Sequence, residues 1–361
     1  MGTRTIKYSN SEFYMVLNQR VQKLLRETKT QKTGGCEIQI KAFILLTLWF
    51  GIYGLILYLG RGHPNITYFL YFLWGLTFAG VGFNIMHDAG HGTFSSNERV
   101  NYFMFLTLVL MGASHFLWDI KHNRIHHTDV NTHLDDDIET GGAMRLSPNQ
   151  PRKKFHRFQA FYAFLFYSIL HIYWVVFTDS KKMWTKKINK TPLPKGTLTT
   201  RRYILFFLSK IMYFVMVLIL PYQIIGWPAV VGFIILEMTI GITISLVFQL
   251  AHVVEKSQFN KAVNGKMSHS LSEQQLFETC NFQTDSKILS WYVGGLNFQV
   301  EHHLFPKISH VHYPKIQPVV KETCEEFDLP YNENTLNEAI VSHIRLLDYL
   351  GNNDDLKTSP S

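Results

Sequence analysis

Cysteine is scarce: 361 residues hold only Cys36, Cys280 and Cys324. With no Cys-x-x-Cys spacing among them, neither a disulfide framework nor a thiolate metal site is indicated. Charge is also thin, at 17% of residues, and leans one way, with 35 basic against 27 acidic side chains and a net charge of +8. That balance suits a surface resting on anionic lipid headgroups better than a soluble basic surface, and no nucleic-acid partner is expected. A secretory signal is not expected either. The first forty residues carry Arg4, Lys7, Arg20, Lys23, Arg26, Lys29 and Lys32 and are too long and polar for such a leader, so the N-terminus is expected on the cytoplasmic side. No internal repeat is evident.

Apolar residues, by contrast, make up 47% of the chain and aromatics 14%, while mean hydropathy sits near zero. The average conceals two unlike parts, a membrane part and a polar part. Four apolar runs, 42–59, 68–86, 203–225 and 228–251, are each long enough to cross a hydrocarbon core of about 30 Å. Short connectors rich in turn formers, Arg61-Gly-His-Pro-Asn65 and Gly226-Trp-Pro228, pair them into two hairpins.

The expected fold is therefore all-α and integral to the membrane. It has an N-terminal arm over 1–41, a domain over 42–345 whose cytoplasmic cap comprises 87–202 and 252–345, and a polar tail over 346–361, frayed from Gly351 onward. Two further apolar stretches, 102–118 and 158–177, carry Ser114, His115 and His171 and are ambiguous.

Histidine supplies the chemistry. His87-Asp-Ala-Gly-His91, His122-Asn-Arg-Ile-His126-His127 and Gln299-Val-Glu-His302-His303 form three clusters, and His252 ends the fourth apolar run. On a helix, residues i and i+4 share one face about 6 Å apart, so each cluster can aim its imidazoles at one point. A lone histidine is usually a hydrogen-bonded core residue, but paired groups beside membrane segments have no packing rationale. Three clusters serving one site must lie on one membrane face. An even number of crossings then separates His127 from His302, so 158–177 is expected to lie in the interface or to dip in and return, and 102–118 likewise. Charge bias agrees: Lys181, Lys182, Lys186, Lys187, Lys190, Lys195, Arg201 and Arg202 precede the second hairpin, against Arg61 alone in the outer connectors.

An imidazole-rich site with room for two ions suits iron or copper and oxygen chemistry, iron above copper, although affinity alone leaves zinc open. Gln299 stands where a histidine would complete the third group; ligation, a water-mediated link and plain hydrogen bonding are all open to its amide. Asp88, Asp135, Asp137 and Glu301 are candidates for holding ligand N–H groups, with solvated charge the alternative. Glu237, mid-run, is a candidate tunnel end or helix–helix hydrogen bond. Tyr71, Trp74, Phe78 and Phe83 are candidates to line an apolar tunnel, or ordinary span packing. His115, His133, His156, His171, His269, His310, His312 and His343 lack paired spacing and are read as structural.

With those motifs in order, the chain resembles the membrane fatty-acid desaturase family. The family's boxes read His-x-x-x-His, His-x-x-x-His-His and His/Gln-x-x-His-His, and the resemblance runs from about residue 40 to 330. The third box, within Gly294-Gly-Leu-Asn-Phe-Gln-Val-Glu-His-His-Leu-Phe-Pro306, is similar to that of front-end acyl desaturases. The resemblance implies O2-dependent desaturation of an acyl-CoA or acyl-lipid at a di-iron centre. Its ligands would be His87, His91, His122, His126, His127, His302 and His303, with His252 matching an additional one.

One departure concerns the electron supply. Many eukaryotic front-end members carry a fused cytochrome b5 domain with a His-Pro-Gly-Gly motif, whereas the only His-Pro here is His63-Pro64, followed by Asn65. An external ferredoxin or cytochrome b5 donor is expected in its place. A hydroxylase of the same architecture is the rival reading, and a membrane metal transporter a distant one. The basic stretch from Lys181 to Arg202 reads as an orientation signal, with a CoA phosphate or lipid headgroup contact as the alternative.

Overall fold

The computed structural model describes residues 11–261 and 267–354, so Arg4, Lys7 and the end of the polar tail lie outside the described residues. The chain is helical, with thirteen principal helices among the described residues. They are α1 (Glu12–Glu27), α2 (Gly35–Leu59), α3 (Pro64–His91), α4 (Glu98–Leu110), α5 (His115–Asp129), α6 (Lys154–Thr185), α7 (Thr200–Ile225), α8 (Trp227–His252), α9 (Leu271–Glu278), α10 (Lys287–Tyr292), α11 (Gln299–Leu304), α12 (Tyr313–Glu326) and α13 (Leu336–Asn352). The strands are two-residue pairs: Lys187–Ile188 antiparallel to Thr191–Pro192, and Asn281–Phe282 parallel to Glu333–Asn334.

Start signals explain the long helices. Pro64 and Pro228 stand in the first turns of α3 and α8, where a missing N–H costs nothing. Helices α2, α3, α7 and α8 contain the four expected runs, and each is long and apolar enough to cross a membrane. Helix α6 passes the same test of length and composition. Both its ends are tied to polar segments: Gln159 Nε2 donates to the Leu347 carbonyl at 2.7 Å, and Lys182 pairs with Asp136 at 2.6 Å. The stretch 102–118 proves to be a corner, because α4 and α5 meet at a bend of 110°.

Outward faces of the long helices are apolar, with Phe43 72%, Phe161 83% and Trp227 72% exposed, as a lipid solvent requires. Inside, α3 packs on α2 and α8 through Trp49, Tyr71, Trp74 and Phe78. Four helices contain π-helical turns, at 82–86, 120–126, 174–178 and 215–219. The first two directly adjoin or contain histidine clusters, a frequent setting for such turns.

The arm is not a free extension. Phe13, Leu17, Val21 and Leu25 of α1 are buried against Val300, Leu304, Ile316 and Val320 of the cap, and α2 already begins at Gly35. At the other end α13 continues to Asn352 with Leu347 and Leu350 buried, so the first part of the expected tail is packed helix.

Candidate metal centre

Each ligand-bearing segment reaches the site by its own local device. The last turn of α3, entered through the π turn at 82–86, carries His87 and His91 and is closed by Gly92 at φ +74°. The π turn of α5 carries His122 and His126; a π turn is wider than an α turn, and these two rings stack nearly parallel, 5.4 Å apart. His127 follows, His252 is the last residue of α8, and α11 supplies His302 and His303. The turn before α11 is held by Gly294 at φ +62°, where a Cβ would overlap the Phe83 carbonyl of α3.

All eight imidazoles are buried and converge. Donor nitrogens of His87, His91, His122 and His302 lie within 4.8 Å of one another, as do those of His126, His252 and His303, and those of His127, His302 and His303. His122 Nε2 is faced by Nε2 of His87 at 3.0 Å, of His91 at 3.2 Å and of His127 at 3.3 Å. Neutral imidazole has one N–H, so a single ring cannot satisfy three such approaches. Extra protons are no remedy: burial, then the charge of neighbouring imidazoles, holds His302 and His303 well below the ordinary histidine pKa. Nε2 of His252, His302 and His303 are buried without a hydrogen-bond partner among the described residues. Close nitrogen approaches that a single N–H cannot satisfy, beside orphaned Nε2 atoms, fit cations at the centre, and the imidazole-rich donor set fits iron or copper.

On four of the eight rings the opposite nitrogen has the kind of partner a metal ligand requires, while His127 Nδ1 is buried without one among the described residues. His126 Nδ1 faces Asp135 at 3.2 Å and Asp137 at 3.3 Å. Asp135 is itself aimed by the Asn131 and Asp137 amides at 3.0 Å, and Asp137 pairs with Lys121. His302 Nδ1 meets the Tyr313 hydroxyl at 3.1 Å, His303 Nδ1 donates to Gln275 Oε1 at 2.6 Å, and His252 Nδ1 donates to the Glu278 carbonyl at 3.3 Å.

The other acidic candidates do different work. Asp88 holds His310 Nδ1 at 2.9 Å and the Ser309 hydroxyl at 2.5 Å, while His310 Nε2 faces buried Lys41 at 2.7 Å. Glu301 accepts from Asn281 at 2.9 Å and Tyr331 at 2.8 Å, and burial pushes its carboxyl up to about 7. Gln299 is buried with its Oε1 unpartnered among the described residues.

Beyond the centre, Glu237 accepts from Tyr213 of α7 and faces His171 Nδ1 of α6 at 2.9 Å, a helix–helix link. Tyr71, Trp74 and Phe78 are fully buried among one another, and Phe83 packs on Phe248 and Tyr292. His156, His312 and His343 each bond to backbone groups. Gln275, Tyr313 and the Glu278 carbonyl escaped the sequence reading. Nothing in their local spacing marks them, since each lies in an element that only tertiary packing brings to the imidazoles.

Comparison with known proteins completes the picture. The family model described as Fatty acid desaturase matches residues 64–335. The chain is 36% identical over 261 residues to the sn-1 linoleoyl-lipid 6-desaturase of Arthrospira platensis, covering 71% of this chain and 70% of that protein. It is 31% identical to the Synechocystis sp. enzyme of the same name, covering 96% and 98%, and 32% identical to the acyl-lipid (8-3)-desaturase of Physcomitrium patens, covering 91% and 69%. The buried convergence of all three histidine boxes and these matches together mean that the chain belongs to the fatty acid desaturase family and is an oxidoreductase that desaturates fatty acyl chains.

Proposed function

We propose that the protein is an acyl-lipid desaturase of the front-end type, inserting a double bond at position 6 of a lipid-bound acyl chain that is already unsaturated. The printed activity of the two 6-desaturases supports the position and the lipid-bound substrate. One ion would be held by His87, His91, His122 and His302, the other by His126, His252 and His303, with His127 between them. Iron fits this donor set, and O2 is the co-substrate. The bound pair supplies oxygen activation and the oxidising power to remove two hydrogens from adjacent methylenes.

The chain's own contribution is orientation and dryness. Asp135, Tyr313, Gln275 and the Glu278 carbonyl hold the outer imidazole nitrogens, leaving the inner lone pairs aimed inward. Burial of all eight rings keeps bulk water from the reacting carbons. Packed helices present one C–C bond to the centre, which makes placement the source of selectivity. An electron donor of ferredoxin or cytochrome b5 type would reduce the centre.

The centre faces the cytoplasm in this reading. Helices α7 and α8 form a hairpin and contribute two crossings, α2 and α3 two more. His126 of α5 and His252 of α8 lie in ring contact, 4.9 Å between centroids, so α6 between them contributes no net crossing. The tethering of both its ends supports this. The single observation that carries the function is the meeting of three imidazole nitrogens around His122 Nε2, more than its one N–H could satisfy.

The test is expression of the chain in a host fed saturated, mono- and di-unsaturated acids, with double bonds located by mass spectrometry in separated lipid classes. A new double bond at position 6 in membrane lipids is expected. A hydroxylated product would replace desaturation by hydroxylation, and a new bond elsewhere would overturn the positional part.

A further inference from the structure

The two imidazole groups are supported by unequal means, and in the first His302 Nδ1 meets the Tyr313 hydroxyl of α12. His87 and His91 lie on the last turn of a 28-residue helix, and His122 lies in a π turn stacked on Trp118 at 4.4 Å. Two of the three imidazoles in the other group, His252 and His303, are instead held by one short element. Helix α9, eight residues long and closed at its start by the Ser270/Glu273 capping box, offers the Glu278 carbonyl to His252 Nδ1 and the Gln275 side chain to His303 Nδ1.

The Gln275 amide has no freedom in this arrangement. Its Nε2 donates to the His127 backbone carbonyl at 3.1 Å, an atom that can only accept, so Oε1 must face His303 Nδ1. That contact is 2.6 Å and requires the proton on Nδ1. His303 Nε2, buried and unpartnered, is thereby left as a lone pair. A backbone carbonyl sets an amide, and the amide sets a tautomer.

We infer that Gln275 is the positioning residue for the second metal alone, fixing His303 as a ligand, and that without it the protein retains one metal of two. This rests on the two-iron reading above, and the wild-type control separates the two. Full-length protein is purified and reconstituted with ferrous iron, and iron per chain and the Mössbauer spectrum are recorded for wild type, Gln275→Leu and Gln275→Glu. Wild type without two irons per chain removes the two-iron reading itself.

With two irons in wild type, Gln275→Leu, which keeps the bulk but has no acceptor, is expected to bind one iron. Gln275→Glu keeps an acceptor for His303 Nδ1 and is expected to bind two. Its negative charge makes one imidazole more basic, so the reduction midpoint should fall while only one of the two iron signals shifts. Two irons in Gln275→Leu with an unchanged spectrum would overturn the inference. So would loss of iron from Gln275→Glu, which would assign the effect to the His127 carbonyl contact.

Discussion

Eight imidazoles crowded into one buried volume, several with an unpartnered nitrogen, favour cations among them, because each buried unpaired polar group costs about 1–3 kcal/mol. From this follows the expected phenotype of ligand loss. His126→Ala or His302→Ala should abolish the new double bond and lower bound iron while leaving the protein in the membrane fraction; wild-type product from either variant would defeat the assignment. A subtler change tests the groups behind the ligands. Asp135→Asn keeps the shape but removes the charge facing His126, and iron affinity measured by chelator competition should fall ~10–100-fold. The ligands themselves were legible as spacing, since His-x-x-x-His is a local pattern. Asp135 and Asp137 were legible as candidates because they follow the second box by a few residues. Asp88, adjacent to His87, turned out to hold His310, a partner more than two hundred residues away that no spacing could reveal.

Histidine 343 adds a pH dependence at the same scale. Buried in α13 and bonded to the Val253 carbonyl at 2.7 Å, it is pushed down to about 4 by burial, opposed in part by that bond. Between that value and the 6.5 of an unfolded histidine the unfolded chain binds more protons, so stability rises with pH across the window. The contribution, roughly 3 kcal/mol, is complete above 6.5 and lost as pH falls toward 4. Melting temperature in detergent should drop over that range, and the drop should shrink in His343→Gln. An unchanged slope in the variant would assign the acid sensitivity elsewhere.

Among elements, the decisive contacts are close helix approaches and π turns, neither of which hydropathy reports. At Gly241 of α8 a Cβ would overlap the Tyr167 carbonyl of α6, so the two helices touch backbone to backbone. Gly241→Ala should force them apart at about 1–3 kcal/mol and lower the melting temperature by several degrees. Gly51→Ala in α2, whose Cβ would meet nothing within 4 Å, should leave it unchanged. The apolar runs of α2, α3, α7 and α8 were legible because lipid demands long apolar stretches. The extent of α6, which begins at Lys154, was not, because its first and last turns are polar and bond to the cap. The second box also read as an ordinary helical face, yet its first two ligands occupy a π turn that stacks them.

For the whole molecule, the proposed topology makes a prediction about sides. Cys36 is exposed, whereas Cys280 and Cys324 are buried, so an impermeant maleimide should label the native chain only at Cys36 and only from the cytoplasmic face. In a Cys36→Ser background, Lys195→Cys should react from that same face and Gly62→Cys from the opposite one. Labelling of Lys195→Cys from the outside would mean that α6 crosses.

What the sequence determined by itself was the solvent and the chemistry: long apolar runs permit little but membrane helices, and three histidine boxes carry a metal centre in their spacing. Tertiary structure alone decided which imidazole nitrogens converge and what holds the opposite ones in place. Gln275, Tyr313 and the Glu278 carbonyl meet their imidazoles across 28, 11 and 26 residues of chain. Contacts of that kind depend on how helices of the cap are stacked, and a hydrogen bond between distant segments leaves no periodicity in the sequence to read.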